Sequence, residues 1–290
     1  MTAPAGMQWI PRGTFRMGSD DHYPEEAPVR PVAVEGFWID RFAVTAAQFA
    51  EFVGETEYVT VAERPLDPAD FPGAPAENLV PGSLVFTMTS GPVDLRHMQQ
   101  WWRWTPGASW RLGEPDHPVV HVACEDAEAY AAWAGKALPS EAEWECAARG
   151  GLDGAAFVWG DQPEAPGERL ANFWHGDFPW RHDAGYGTTA AVGSYPPNGF
   201  GLHEMAGNTW EWTADWYGIG EQGGSCCVPH TAEQSFDPAQ PQFRIPRRVI
   251  KGGSFLCADS YCRRYRPAAR RPQMIDSGMS HIGFRCVVRP

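Results

Sequence analysis

Lys251-Gly252-Gly253-Ser254-Phe255-Leu256-Cys257-Ala258-Asp259-Ser260-Tyr261-Cys262-Arg263-Arg264-Tyr265-Arg266-Pro267-Ala268-Ala269-Arg270 is the stretch on which the reading of this chain turns. It sets two cysteines five positions apart, between a Gly-Gly-Ser turn and a run of arginine and tyrosine. Gly252 and Gly253 admit a bend with positive φ or a close backbone approach, so the thiols enter a tight, irregular segment. Arg263, Arg264, Arg266 and Arg270 follow, and a guanidinium near a thiol favours its ionised form. Two thiolates on one short segment make a soft site, suited to Cu(I) or zinc rather than Mg or Ca. By spacing alone the pair reads first as two buried thiols or a disulfide, because structural zinc uses shorter spacings and four ligands.

No linker, charge block or repeat divides the 290 residues, so 1–290 reads as one domain. The 31 glycines and 27 prolines predict many turns and few long regular elements, while 14 Trp and 15 Phe supply a core. A net charge of −13 argues against nucleic acid, which needs a basic stripe, and is compatible with a basic peptide partner. The first residues carry no basic and apolar leader pattern, and no apolar run approaches the ~20 residues of a membrane span. The expectation is a cytoplasmic protein with no membrane partner. Its seven cysteines are an odd number and do not read as a disulfide framework there.

Residues 8–18 read as one strand with its turn, and Val29 to Asp40 as another. Thr45 is an N-cap for a helix over 46–53 that buries Phe49, Phe52 and Val53. Prolines at 65, 68, 72, 75 and 81 break any long element after it. Trp101, Trp102, Trp104 and Trp110 read as one aromatic cluster, as core or pocket wall rather than a stacking platform. His117 to Val122 reads as a strand, which would hold His117 and His121 ~13 Å apart at ~3.3 Å per residue. Both histidines are therefore expected to be structural. A helix is expected over 125–134. The next has a capping box, Ser140 with Glu143, and stops at Gly150-Gly151. Residues 217–249, with Cys226-Cys227, read as a surface excursion.

Several of these runs carry a resemblance. Gly-Gly-Ser-Phe-Leu-Cys257, Ser-Tyr-Cys262, Arg-Tyr-Arg266 and Gly283-Phe284-Arg285-Cys286 are similar to the formylglycine-generating enzymes, the sulfatase-modifying oxidases. So are Ala134-Gly-Lys-Ala-Leu-Pro-Ser-Glu-Ala-Glu-Trp-Glu145 and Glu204-Met-Ala-Gly-Asn-Thr-Trp-Glu-Trp212. The resemblance extends over nearly the whole chain. It implies an α+β single domain with the lectin-like sulfatase-modifying factor fold and low regular secondary structure. It implies an oxidoreductase that uses O2 to convert the cysteine of a sulfatase Cys-x-Pro-x-Arg motif to Cα-formylglycine. The partner would be an unfolded or nascent sulfatase polypeptide, and the enzyme a monomer. Aldehyde formation removes electrons and sulfur, which needs a redox cofactor.

The same resemblance implies Cu(I) held by Cys257 and Cys262, with Ser254 and Trp210 as further catalytic residues. It implies structural Ca2+ at Asn172, Phe173, Asp183 and Tyr186, and again at Glu204, Gly207, Thr209 and Glu211. Ala184 stands at the family's usual carboxylate position, which is why Asp183 is taken instead. The family's secretory disulfides are expected to be missing, since the partner position of Cys286 is Ala131 and Pro267 follows Arg266. The sequence does not assign the group that grips the substrate arginine; acidic residues of 57–70, such as Glu63 or Asp67, are candidates. Two rivals stand beside this reading: an iron-dependent cousin that joins sulfur to carbon, and a non-catalytic lectin-like binding module.

Overall fold

The computed structural model describes residues 3–69, 73–76, 79–165, 167–182, 187–218 and 230–290. Strands β1 (Met7–Ile10), β2 (Gly13–Met17), β3 (Arg30–Val34) and β4 (Phe37–Asp40) open the chain. The two strands expected over 8–18 and 29–40 are thus four. Pro11 interrupts the first, having no N–H for a ladder. Gly36 interrupts the second at a close approach, where a Cβ would lie 2.4 Å from the Trp9 ring. The halves then find different partners: β1 pairs with β4 and β2 with β3, both antiparallel.

Helix α1 (Ala46–Thr56) starts at the expected Thr45, whose side chain and Gln48 form a capping box. It runs three residues past the expected end and stops at Glu57, which takes the left-handed conformation at φ 56°. Helix α2 (Cys124–Trp133) and helix α3 (Glu141–Arg149) match expectation within a residue, and the Ser140–Glu143 box and the left-handed Gly150 bound α3. The stretch from His117 to Val122 is not a strand. Its backbone is taken up singly by distant partners, Val119 N–H by Val44 and His121 N–H by Met279, and His121 sits at φ 64°.

Strands β5 (Gly82–Phe86) and β6 (Trp102–Pro106) pair with each other. Then come β7 (Trp210–Trp216), β8 (Arg247–Lys251), β9 (Arg270–Met274), β10 (Ile282–Gly283) and β11 (Val287–Val288). Strand β11 joins β4. The largest sheet has the order β10-β7-β8-β9, with β10 parallel to β7 and the rest antiparallel.

The register of this sheet separates two chemistries. Directly opposed residues share a face. Trp212, Ile250 and Arg271 stand in one row, and Glu211, Lys251 and Arg270 in the next. On the first face Trp210, Trp212, Ile250 and Ile282 pack with Cys257, Tyr265 and Phe284 in the principal core. On the second face α3 supplies carboxylates. Lys251 Nζ lies 2.9 Å from Glu145, and Arg270 2.7 Å from Glu141. The four tryptophans expected together are dispersed. Trp110 lies in the principal core, Trp101 and Trp102 pack with Trp174, Phe178 and Phe255, and Trp104 donates to the Val80 carbonyl. Among the described residues no helix is long and apolar enough to cross a membrane.

Candidate functional site: a paired-thiol loop

Strand β8 delivers the chain into the cysteine loop through two left-handed glycines, Gly252 at φ 91° and Gly253 at φ 72°. A Cβ on Gly253 would meet the Arg264 carbonyl oxygen at 2.6 Å, so the loop closes on itself only with glycine there. Neighbouring segments then hold it. Gly207 N–H donates to Gly252, Phe255 N–H to Asn208, and Trp174 N–H to the Cys257 carbonyl at 2.8 Å. Inside the loop Cys257 N–H donates to Ser254 and Cys262 N–H to Ala258. These bonds fold five residues back so that the two sulfurs lie 3.2 Å apart. The thiols are free and in contact.

Their environments differ. Cys257 is sealed in the principal core at 1% exposure, and Cys262 is half-buried. Burial, then the contact with Cys262, raises the Cys257 thiol well above its ordinary value. Cys262 is shifted down, first by its hydrogen bond with Cys257 and then by Arg271 and Arg264 against the opposing effect of burial. Of the two, Cys262 therefore gives up its proton first and Cys257 keeps its own. The expectation that the arginine run ionises both thiols is therefore corrected. Arg263 pairs with Asp259, Arg266 with Glu26 and Arg270 with Glu141, so most of the run is neutralised by carboxylates. Tyr261, next to Cys262, is 37% exposed and stacks on Phe178 with centroids 4.5 Å apart.

Ser254 is fully buried, and its Oγ accepts from Leu256 N–H at 3.3 Å. Trp210 lies in the same core as Cys257. A cavity of about 200 Å³ opens beside the loop, lined by Phe157, Trp159, Glu164, Phe173, Asp259 and Tyr265. A second, of about 450 Å³, is lined by Arg64, Asp67, Phe243, Arg244 and Asp276. Of the two carboxylates considered for a substrate arginine, Glu63 is already engaged by Thr60, Trp110 Nε1 and Arg111. Asp67 faces the larger cavity.

The two calcium sets differ in fit. Asn172 is buried, its Nδ2 donates to Thr188 and Asn208, and its Oδ1 has no hydrogen-bond partner. A buried bare acceptor suits a hard cation. Phe173 follows it, while Asp183 and Tyr186, like Cys226 and Cys227, lie outside the described residues. In the other set Glu204 accepts the N–H groups of Gly193 and Tyr195, and Glu211 is held by Arg285 and Trp144 Nε1 at 2.7 Å each. Gly207 and Thr209 flank these side chains, but both carboxylates face internal donors. In this set, unlike the first, the side-chain oxygens already accept internal hydrogen bonds.

His117 and His121 both have local partners, Thr189 Oγ1 and Ser83 Oγ, each at 2.9 Å. Burial lowers His121 to about 4. His117 also stands with Glu114 and Asp116 in a solvent-facing group of three metal-capable side chains. Three features had no sequence signal. Tyr23, Glu25 and Glu26 clamp Arg264 and Arg266. Arg271 bears on Cys262. His281, against the Trp102 ring at 4.7 Å, keeps its Nδ1 without a hydrogen-bond partner. The parity of β9 is the only hint that separates Arg271 from Arg270.

Comparison with known proteins places the chain. Residues 2–290 match the sulfatase-modifying factor enzyme 1-like domain. A formylglycine-generating enzyme of Mycobacterium tuberculosis is 52% identical, over 97% of this chain and 97% of that protein. An inactive C-alpha-formylglycine-generating enzyme 2 of Bos taurus is 37% identical, over 97% and 87%. Among solved structures, PvdO from Pseudomonas aeruginosa is similar with a TM-score of 0.64 and 26% identity, over 97% and 93% of the two chains. The chain belongs to the sulfatase-modifying factor family, with that family's α+β fold of short elements.

Proposed function

We propose that this chain converts the cysteine of a sulfatase Cys-x-Pro-x-Arg segment to Cα-formylglycine, with O2 as oxidant. The observation that carries the reading is the pair of free sulfurs 3.2 Å apart, one sealed and one half-buried. Family membership alone does not carry it, because relatives include a protein named as inactive. Two soft donors in contact fit Cu(I). Bound there by Cys257 and Cys262, the metal would supply the one-electron chemistry that O2 requires.

The chain's own residues supply the rest. In the metal-free protein Cys262 loses its proton first and Cys257 keeps its own, so one sulfur is ready as a ligand and Cys257 would release its proton as the metal binds. The Ser254 carbonyl fixes the Cys257 backbone, and the Ser254 hydroxyl stands on the same turn. Trp210, Phe284 and Tyr265 exclude water behind Cys257, which strengthens every charge interaction in front of it. Asp67, at the larger cavity, is the carboxylate for the substrate arginine. Structural Ca2+ would use Asn172 and the Phe173 carbonyl. The five cysteines of the described residues are all free, which supports a reducing, cytoplasmic setting.

The test is an anaerobic Cu(I) titration of wild type, Cys257→Ser and Cys262→Ser, followed by peptide conversion read by mass. Loss of tight binding and of aldehyde in both variants is expected. Aldehyde formed equally well by either variant would reject the roles given to the two thiols.

A further inference from the structure

Five arginines lie between positions 263 and 271, and four have a carboxylate. Arg263 pairs with Asp259, Arg264 with Glu25, Arg266 with Glu26 and Arg270 with Glu141. The Arg271 guanidinium is the exception: it makes no hydrogen bond or ion pair with any described residue. It is half-buried, on the edge strand β9.

Its direction is fixed by register. Arg271 stands opposite Ile250, which stands opposite Trp212, and directly opposed residues share a face. That face is the apolar one, where Trp210, Trp212, Ile250 and Ile282 pack with Cys257. Arg270 lies on the opposite, carboxylate-bearing face. Arg271 is thus a cation sent to the thiol side of the sheet. Its charge reaches both Cys262 and His281. The buried Nδ1 of His281 gives the same neighbourhood a second polar atom without a hydrogen bond.

A half-buried charge facing an apolar surface is costly unless something pairs with it. Within the described residues nothing does, which leaves its fork open to a carboxylate carried by an incoming chain. The guanidinium and the paired sulfurs lie on the same side of the sheet. Its planar fork matches a carboxylate in bidentate fashion. The overall charge of −13 disfavours acidic polypeptides in general, so a preference for one requires a local cation. We propose that Arg271 is a specificity-determining residue that receives an aspartate or glutamate carboxylate flanking the target cysteine. This rests on the oxidase reading above for the identity of the incoming chain.

The test uses matched peptides carrying Cys-x-Pro-x-Arg with x as Glu or as Gln. Conversion is measured with copper-loaded wild type, Arg271→Gln and Arg271→Lys. Binding is measured by anisotropy with labelled versions in which serine replaces the target cysteine. Wild type should favour the Glu peptide by about tenfold, in KM and in binding, with kcat unchanged. Arg271→Gln should bring the ratio to about one, while Arg271→Lys, keeping the charge without the fork, retains part of it. A variant damaged only in folding would lose both peptides together and keep the ratio. A wild-type ratio near one, or a ratio unchanged in Arg271→Gln, overturns the proposal. Aldehyde without a Glu preference removes the role of Arg271 and leaves the oxidase. A Glu preference in binding without aldehyde from either peptide does the reverse.

Discussion

Glu26 and Arg266, 240 residues apart, meet through two hydrogen bonds: Nη1 to Oε2 at 2.7 Å and Nη2 to Oε1 at 2.6 Å. Both side chains are buried, at 0% and 1% exposure. Beside them Glu25 pairs with Arg264 at 2.6 Å, and the Arg264 guanidinium lies 4.0 Å from the centre of the Tyr23 ring. The N-terminal loop therefore clamps the segment that follows Cys262. A buried bidentate pair contributes little against an apolar substitute, but breaking it strands a charge.

Glu26→Ala is expected to cost about 3–5 kcal/mol, because Arg266 would remain buried and uncompensated. Urea unfolding of the variant and of Glu26→Ala/Arg266→Met checks this. The double variant should recover part of the loss, and a single variant as stable as wild type would contradict the buried-charge account.

In metal-free protein Cys262 should alkylate ahead of Cys257, being half-buried and shifted down while its partner is buried and shifted up. Cys257→Ala removes the donor that stabilises the Cys262 thiolate. Its pKa then rises, and the alkylation rate at neutral pH falls about tenfold for each unit. Mass mapping of early adducts across a pH series reads the order. Cys257 reacting first would refute it.

Asp126 sits under Tyr58 and the N–H groups of Val61 and Ala123, and burial raises its pKa to about 6. The folded state thus holds this proton more tightly than the unfolded chain, whose Asp titrates near ~3.9. Its stabilising contribution is full below about pH 4 and is lost as pH rises through about 6. The unfolding free energy at pH 7.5 minus that at pH 4.5 should be more positive in Asp126→Asn than in wild type, and an unchanged value would refute the account. The comparison is made within each protein because Glu143 and Glu145, both shifted down, act in the opposite sense.

Calcium should raise the thermal midpoint and a chelator should lower it, with Asn172→Leu losing most of the gain. The unpartnered Oδ1 of Asn172 is the reason. Glu204→Gln should leave the calcium gain in place, since that carboxylate already accepts two backbone N–H groups. A gain that survives Asn172→Leu and vanishes with Glu204→Gln would invert the assignment.

Much of the frame was legible because its signals are local. Thr45 and Ser140 cap helices through atoms three residues away, and the backbone freedom at Gly252 and Gly253 is a property of those residues themselves. The strand over 117–122 failed because its β-rich composition was overridden by single bonds to Val44 and Met279. Glu63 and Asp67 looked alike in sequence. Only folding brought Trp110 and Arg111 onto the first and left the second beside a cavity.

By itself the sequence determined where the chain turns, where two of its helices begin and which two thiols come together, since each depends on neighbours within a few positions. Tertiary structure alone decided which arginines of the run 263–271 are neutralised by described carboxylates and which one is not. A guanidinium can pair with any of the chain's 36 acidic residues, and sequence distance does not rank them. Sheet register does: a shift of one position sends Arg270 to the carboxylate face and Arg271 to the thiols.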